Sequence, residues 1–128
     1  MSSRSWTVVI PAPAPFLNAN HRHDRRGRAA VVRAWRDAAN VHARAARVPL
    51  LGRAHITITI RFADKRRRDV HNLYPTAKAL VDGVVDAGVL PDDSDQYLTG
   101  PDLRAGEPIS RKPYGPSGQV VLLIREVA

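Results

Sequence analysis

One stretch near the middle of the chain alternates apolar and polar residues with a period of two. Between Ile56 and Phe62 the sequence reads ITITIRF. Successive side chains of a β-strand point to opposite faces, so this pattern predicts a strand with one apolar and one polar face. A chain containing such a strand must build a sheet and cover one side of it.

The remaining pattern predicts two helices and three more strands. The helices are predicted over Ala29–Arg47 and from Asp69 to about Ala87, and the strands over Ser5–Ile10, Gln96–Thr99 and Gln119–Val127. Pro75 fits the first turn of the main second helix, or a kink after one preliminary turn. Residues 16–28 and 100–118 are expected to be loops. The order β-α-β-α-β-β predicts one α+β domain over residues 1–128, a small mixed sheet of about four strands with two main helices packed on it.

Composition excludes several classes of protein. The chain has 128 residues and no cysteine, which rules out a disulfide scaffold, a thiolate zinc site and a cysteine nucleophile. No run of eighteen apolar residues is present, so no membrane partner is expected and the cytoplasm is the expected compartment. The net charge of +8 favours a polyanionic partner. Because almost all the cations are arginine, a GC-rich genome would also explain part of this excess.

The most informative feature is a contrast of charge around the second helix. Arg66–Arg68 precede Asp69 and His71, and a second acidic group, Asp92–Asp95, follows the helix. A helix from Asp69 to Gly88 would be about 27–30 Å long and would hold the two groups apart. They meet only if the chain after Gly88 folds back, or if the helix begins later.

Carboxylates within a basic chain have a chemical explanation. Mg²⁺ takes oxygen ligands, usually one or two carboxylates together with waters and substrate phosphate. Arginines do not ligate a metal, but they hold a polyanionic backbone against it. This pairing is expected for metal-dependent phosphodiester cleavage.

Each residue also has a simpler interpretation. Asp69 suits a helix N-cap, and aspartates such as Asp92–Asp95 are common in turns. Arg66–Arg68 would serve equally well as a solvated charge run. Lys78 and Asp82, four residues apart on a helix, could form an ordinary surface ion pair.

Three segments together resemble the RusA family of Holliday-junction resolvases. They are RRDVHNL over residues 67–73, KALVDG over 78–83 and DAGVLPDD over 86–93. The family core reads Arg-Arg-Asp-x-Asp-Asn-Leu, then a Lys, an Asp four residues on, an Ala-Gly turn and an Asp-Asp pair. The likeness covers nearly the whole chain, and 69–93 is its specific part. It implies a small RusA-like homodimeric endonuclease that binds four-way DNA junctions and, with Mg²⁺, cuts two strands symmetrically.

The resemblance also implies roles for individual residues. By motif match, the catalytic set is Asp69, His71, Lys78 and Asp93, and the metal set is Asp69, His71, Asp92 and Asp93. Lys78 aligns only if Tyr74–Thr76 is allowed as an insertion of three residues. The family has aspartate where this chain has His71. Imidazole suits Mn²⁺ or Zn²⁺ better than Mg²⁺, so either the metal preference shifts, or His71 acts on the water or leaving group, or activity is reduced.

The expected activity is resolution of branched DNA by a Mg²⁺-dependent endonuclease, with Mn²⁺ as the alternative metal. The residues expected to hold the DNA backbone are Asn20, Arg22, Arg25, Arg26, Arg66, Arg67, Arg68, Arg111 and Lys112. Two alternatives stay open at this point. One is a nucleic-acid-binding protein without activity, and the other is a nuclease for flaps or forks.

Overall fold

The computed structural model describes residues 4–19, 24–65, 68–109 and 118–128. Within these ranges lie β1 (Ser5–Pro11), α1 (Arg25–Ala45), β2 (Ala54–Phe62), α2 (Tyr74–Asp86), β3 (Leu98–Ala105) and β4 (Gly118–Glu126). A short 3₁₀ helix, Val70–Leu73, leads directly into α2, so Pro75 lies in the first turn of α2 after one preliminary turn. The predicted α+β class, with two helices on a four-stranded mixed sheet, is confirmed.

The strands form one sheet in the order β1-β4-β2-β3. β4 runs antiparallel to both β1 and β2, whereas β2 and β3 are parallel. A parallel pair needs a crossover connection, and α2 provides it between β2 and β3. The 3₁₀ helix and the start of α2 therefore follow the carboxyl end of β2.

One face of the sheet is covered by the helices. Ile56, Ile58 and Ile60 are fully buried, as the alternating pattern predicts, while Val9 and Leu123 on the opposite face are 44% and 40% exposed. Burying an isoleucine side chain contributes about 1.5–3 kcal/mol relative to leaving it exposed. The core thus lies between the sheet and the two helices, and no helix of the residues that the structure describes covers the second face of the sheet, which we call the open face.

The segment from Ala12 to Ala19 crosses from β1 toward the helices and packs on α1. Phe16 stacks on the buried Trp35 ring, with 5.1 Å between the ring centroids. The Trp35 indole Nε1 donates to the Pro15 carbonyl oxygen at 2.9 Å. The aromatic stacking and this hydrogen bond hold the segment against α1.

The same segment is also bound to α2 and to the 3₁₀ helix. The buried Thr76 hydroxyl accepts from the Leu17 N–H at 2.7 Å and donates to the Leu17 carbonyl oxygen at 2.9 Å. Two residues further on, the Ala19 N–H donates to the Asn72 carbonyl oxygen at 2.7 Å. The chain leading into α1 therefore starts beside the 3₁₀ helix.

The two helices pack closely at Gly83. A Cβ at this position would overlap the Arg36 carbonyl oxygen and would lie 2.6 Å from the Ala39 Cβ. Only glycine allows the backbones to approach in this way. The Arg36 guanidinium then reaches Asp86 across the same contact, at 2.6 and 2.8 Å.

Two of the predicted boundaries are wrong. α1 begins at Arg25 rather than Ala29, because Asp24 caps it by accepting from the Gly27 N–H at 2.5 Å. β3 spans Leu98–Ala105, so residues 100–105 form a strand and not a loop. Pro101 is tolerated there because β3 lies at the edge of the sheet, where one side of the strand needs no partner.

Among the helices that the structure describes, none combines the length and the apolar character needed to cross a membrane.

Candidate functional site

Lys78 lies at the centre of a charged cluster on α2. Its ammonium donates to Asp82 Oδ1 at 2.9 Å and to Asp93 Oδ2. Asp82 is one helical turn away on α2, whereas Asp93 comes from the loop that follows the helix. The loop after α2 therefore folds back beside the helix, which is one of the two conditions under which the acidic groups could meet.

The charges in this cluster stabilise one another. The hydrogen bond to Asp93 raises the pKa of Lys78, and the hydrogen bond to Asp82 adds to this effect. The hydrogen bond from Lys78 lowers the pKa of Asp93. At neutral pH the cluster therefore holds an ammonium and an ionised carboxylate in direct contact.

A polar pocket lies beside this cluster, between α2 and β3. Its volume is about 120 Å³. That is room for about four water molecules at the density of the liquid, so it suits a small hydrated ion or a phosphate group rather than a nucleobase. Its walls are formed by Tyr74, Lys78, Val81, Asp93, Asp95, Leu98, Gly100 and Pro101.

Asp69 and His71 lie on the 3₁₀ helix, immediately before α2. Asp69 Oδ1 accepts from the His71 N–H at 3.0 Å and lies 3.2 Å from His71 Nδ1. The two side chains are 61% and 82% exposed. Asp69 thus caps the 3₁₀ helix, as its simpler interpretation predicts, while both side chains stay accessible to a ligand.

Asp92 has a local role in the loop after α2. Its Oδ1 accepts from the Asp93 N–H at 2.8 Å, and the residue is exposed. Asp92 therefore helps to fix the backbone that carries Asp93.

Three of the four predicted ligands are carboxylates, which suit a hard divalent cation, since such a cation needs only one or two carboxylates beside its waters. Over residues 4–19, 24–65, 68–109 and 118–128, however, no three His, Asp or Glu side chains form a group that could hold a metal ion. Asp93 instead holds the Lys78 ammonium. The metal set of Asp69, His71, Asp92 and Asp93 stays a prediction.

Three of the predicted DNA-binding residues lie within the residues that the structure describes, and the other six do not. Arg25 and Arg26 are exposed on the first turn of α1. Arg68 pairs with Asp64 at 2.7 and 2.9 Å, and its guanidinium lies 4.2 Å from the centroid of the Phe62 ring. The others lie outside the described residues: Asn20, Arg22, Arg66, Arg67, Arg111 and Lys112.

Sequence reasoning named Asp95 within the second acidic group but did not place it in the site, and it did not find the other residues that complete the pocket. Tyr74 and Asp95 line it, and β3 contributes Gly100 and Pro101, which were assigned to a loop. Tyr74 carried a signal, because it belongs to the three-residue insertion before Lys78. The contribution of β3 depends on pairing with β2, for which the local sequence has no signal.

A scan of the chain against models of known protein families and a search of curated proteins both give no match.

Proposed function

We propose that this protein is a structure-selective DNA endonuclease that resolves four-way junctions by paired, metal-dependent hydrolysis of phosphodiester bonds. One observation carries the proposal. The Lys78 ammonium, held between Asp82 and Asp93, forms part of the wall of a small polar pocket in a chain whose net charge is +8. Such a pocket offers a phosphate both a cation and adjacent carboxylates for a metal.

Asp69, Asp93 and His71, with Asp92 as a further oxygen donor, would hold Mg²⁺ or Mn²⁺. When bound, such a cation supplies charge that offsets the phosphate and lowers the pKa of a nearby water. The choice between these metals depends on His71, since imidazole favours Mn²⁺ over Mg²⁺.

Lys78 would contact a non-bridging oxygen of the phosphate as a point charge. For Asp93 to bind the cation, the Lys78 ammonium must leave that carboxylate, while Asp82, one turn away, keeps hold of it. Asp82 therefore acts as a positioning residue for Lys78. Release of Asp93 by Lys78 also frees a carboxylate for the cation.

The arginines near the site would hold the DNA backbone. Arg25 and Arg26 face solvent, and the Arg68 guanidinium is oriented by Asp64 and the Phe62 ring. Contacts with phosphates position a duplex but do not read its sequence, so selectivity would come from the shape of the junction.

A homodimer would explain paired cuts, because a two-fold dimer presents two equivalent sites to a junction of nearly two-fold symmetry. The open face of the sheet is a suitable surface for a second copy. Val9 and Leu123 are exposed there, and β1 and β4 pair Val9 with Val121 and Thr7 with Leu123. Val9, Val121 and Leu123 form an apolar patch on the part of that face that β1 and β4 contribute.

The test is incubation of the chain with a labelled mobile four-way junction, in Mg²⁺, in Mn²⁺ and in EDTA. We expect symmetric paired cuts in one or both metals and none in EDTA. Asp93→Asn should keep DNA binding and abolish cutting, whereas Asp37→Asn, the matched change at an exposed aspartate of α1, should cut like the wild type. An Asp93→Asn variant that still cuts would show that the site is assigned wrongly.

The other outcomes separate the two remaining alternatives. Binding without cuts in either metal would favour a nucleic-acid-binding protein without activity. Cuts on a fork made of the same strands, but not on the junction, would favour a flap or fork nuclease. His71→Asp should raise the activity in Mg²⁺, and no change would remove His71 from the metal set.

A further inference from the structure

One side of α1 carries a groove lined with arginines. The groove has a volume of about 410 Å³ and is lined by Arg25, Arg28, Ala29, Val32, Arg33 and Arg36. At 100° per residue these six positions fall on one side of the helix. We call Arg25, Arg28 and Arg33 the α1 basic stripe. Ala29 and Val32 form the floor between the cations.

The stripe is not neutralised by the parts of the protein that the structure describes. Two other arginines of α1 have clear partners, since Arg36 pairs with Asp86 and Arg44 donates to Asn40. No hydrogen bond or ion pair of the three stripe side chains is found within the described ranges. Three guanidinium groups on one helix face therefore remain available to an anion.

The position of the arginines at the amino end of α1 also favours binding of an anion. Arg25, Arg26 and Arg28 lie in the first turn of α1 or directly after it, where the N-cap Asp24 supplies a single carboxylate and the first turn itself contains no acidic residue. The amino end of a helix is the positive end of its dipole, so each cation there is disfavoured by a few tenths of a kcal/mol up to about 1 kcal/mol. An anion bound at this end removes that disadvantage.

The stripe also runs alongside the candidate site. Ala19 is hydrogen-bonded to Asn72, and a chain of five residues spans at most about 18 Å, so the Asp24 cap of α1 lies within that distance of Ala19. At its other end, Arg36 is close enough to Asp82 for that carboxylate to help raise its pKa, after the larger effect of Asp86. Asp82 in turn holds Lys78. From Arg25 to Arg36 the groove is about 16 Å long, which matches about five phosphates of one strand along a duplex axis.

We propose that the α1 basic stripe binds the sugar–phosphate backbone of one DNA arm and leads it to the pocket beside Lys78. This inference rests on the proposed function and deepens it, because it assigns a surface to an arm of the junction. Arg28 and Arg33 are the residues that it adds to the DNA-binding set. The positive charge and the length of the groove both match a nucleic-acid backbone. The sugars of that backbone would lie over Ala29 and Val32.

The test is the salt dependence of junction binding, measured by fluorescence anisotropy with a labelled junction in EDTA. Each phosphate contact contributes about 0.9 to the slope of log K against log salt concentration. The double variant Arg28→Gln/Arg33→Gln should therefore lower the magnitude of the slope by about 1.8. Arg28→Lys/Arg33→Lys should keep the wild-type slope, because the number of charges is unchanged.

The matched control is Arg47→Gln/Arg53→Gln. It removes the same two charges from exposed positions between α1 and β2, at the other end of the fold. The control should keep the wild-type slope. Equal slopes in the two glutamine variants, whether both lowered or both unchanged, would overturn the stripe as a specific surface.

The cleavage assay separates this failure from failure of the proposed function. The Arg28→Gln/Arg33→Gln variant should keep metal-dependent cutting, since Lys78 and Asp93 are intact, but should need more protein for half-maximal cutting than the wild type or the Arg47→Gln/Arg53→Gln control. If the wild type cuts junctions while the slope is unaffected by the variant, the stripe is wrong and the endonuclease stands. A wild-type chain that neither binds nor cuts a junction would overturn both.

Discussion

Thr76→Val should destabilise the protein by removing a buried hydroxyl that has two partners. Thr76 is fully buried, and its hydroxyl satisfies both the N–H and the carbonyl group of Leu17. Valine has nearly the same volume but leaves these two backbone groups without partners. An unsatisfied buried polar group costs about 1–3 kcal/mol, so for the two groups we expect a loss of about 2–6 kcal/mol in the free energy of unfolding.

The corresponding change in Tm follows from the length of the chain. Unfolding entropy is about 2.1 cal/mol/K per residue, or roughly 0.27 kcal/mol/K for this chain, so the expected loss lowers Tm by about 7–22 °C. Thr76→Ser is the control, because it keeps the hydroxyl and removes one methyl group. It should cost about 1 kcal/mol, or about 4 °C.

Thermal and urea unfolding, followed by far-UV circular dichroism and by tryptophan fluorescence, would measure the difference. Trp35 is a local reporter, because its ring stacks on Phe16 and its indole donates to Pro15 in the segment that Thr76 holds. If Thr76→Val unfolds at the same temperature as Thr76→Ser, the two hydrogen bonds between Thr76 and Leu17 do not stabilise the fold.

Two further predictions concern charge and assembly. The hydrogen bond from Arg36 lowers the pKa of Asp86 below its ordinary 3.8, so the pair stabilises the fold fully above about pH 4 and this contribution is lost as the pH falls further. In urea unfolding at pH 6, the free energy of unfolding of Asp86→Asn should therefore be lower than that of the wild type, by less than about 1 kcal/mol because the pair is exposed. The two values should converge near pH 2. A difference that does not change with pH would contradict the linkage. Leu123→Glu should convert the proposed dimer to a monomer in light scattering, while Val41→Glu, at an exposed apolar position of α1, should not; a dimer that survives Leu123→Glu would exclude the open sheet face as the interface.

Local sequence determined the elements whose side chains repeat with a clear period. The alternation of residues 56–62 predicted β2 and its buried face, because a strand turns successive side chains to opposite sides. The sequence pattern did not predict the secondary structure where charged or turn-forming residues interrupt the period. The arginines around Gly27 led to a loop prediction for the first turn of α1, and Gly100 and Pro101 led to a loop prediction for most of β3.

For the candidate site, the sequence determined only the contact within a single helix. Lys78 and Asp82 are four residues apart, and the helical repeat alone brings them together. The meeting of Lys78 with Asp93 depended on the path of the loop after α2, which is fixed by long-range packing. Val89 and Leu90 are buried, and the Val89 carbonyl oxygen accepts from the Leu51 N–H.

The tertiary structure therefore decided which charges face one another. A helical or strand period follows from backbone geometry over a few residues, so the chain itself carries that information. The approach of Asp93 to Lys78 and the pairing of β3 with β2 depend instead on apolar burial and hydrogen bonds between distant segments. No local pattern encodes them, because the free energy that selects them comes from contacts formed only when the whole core assembles.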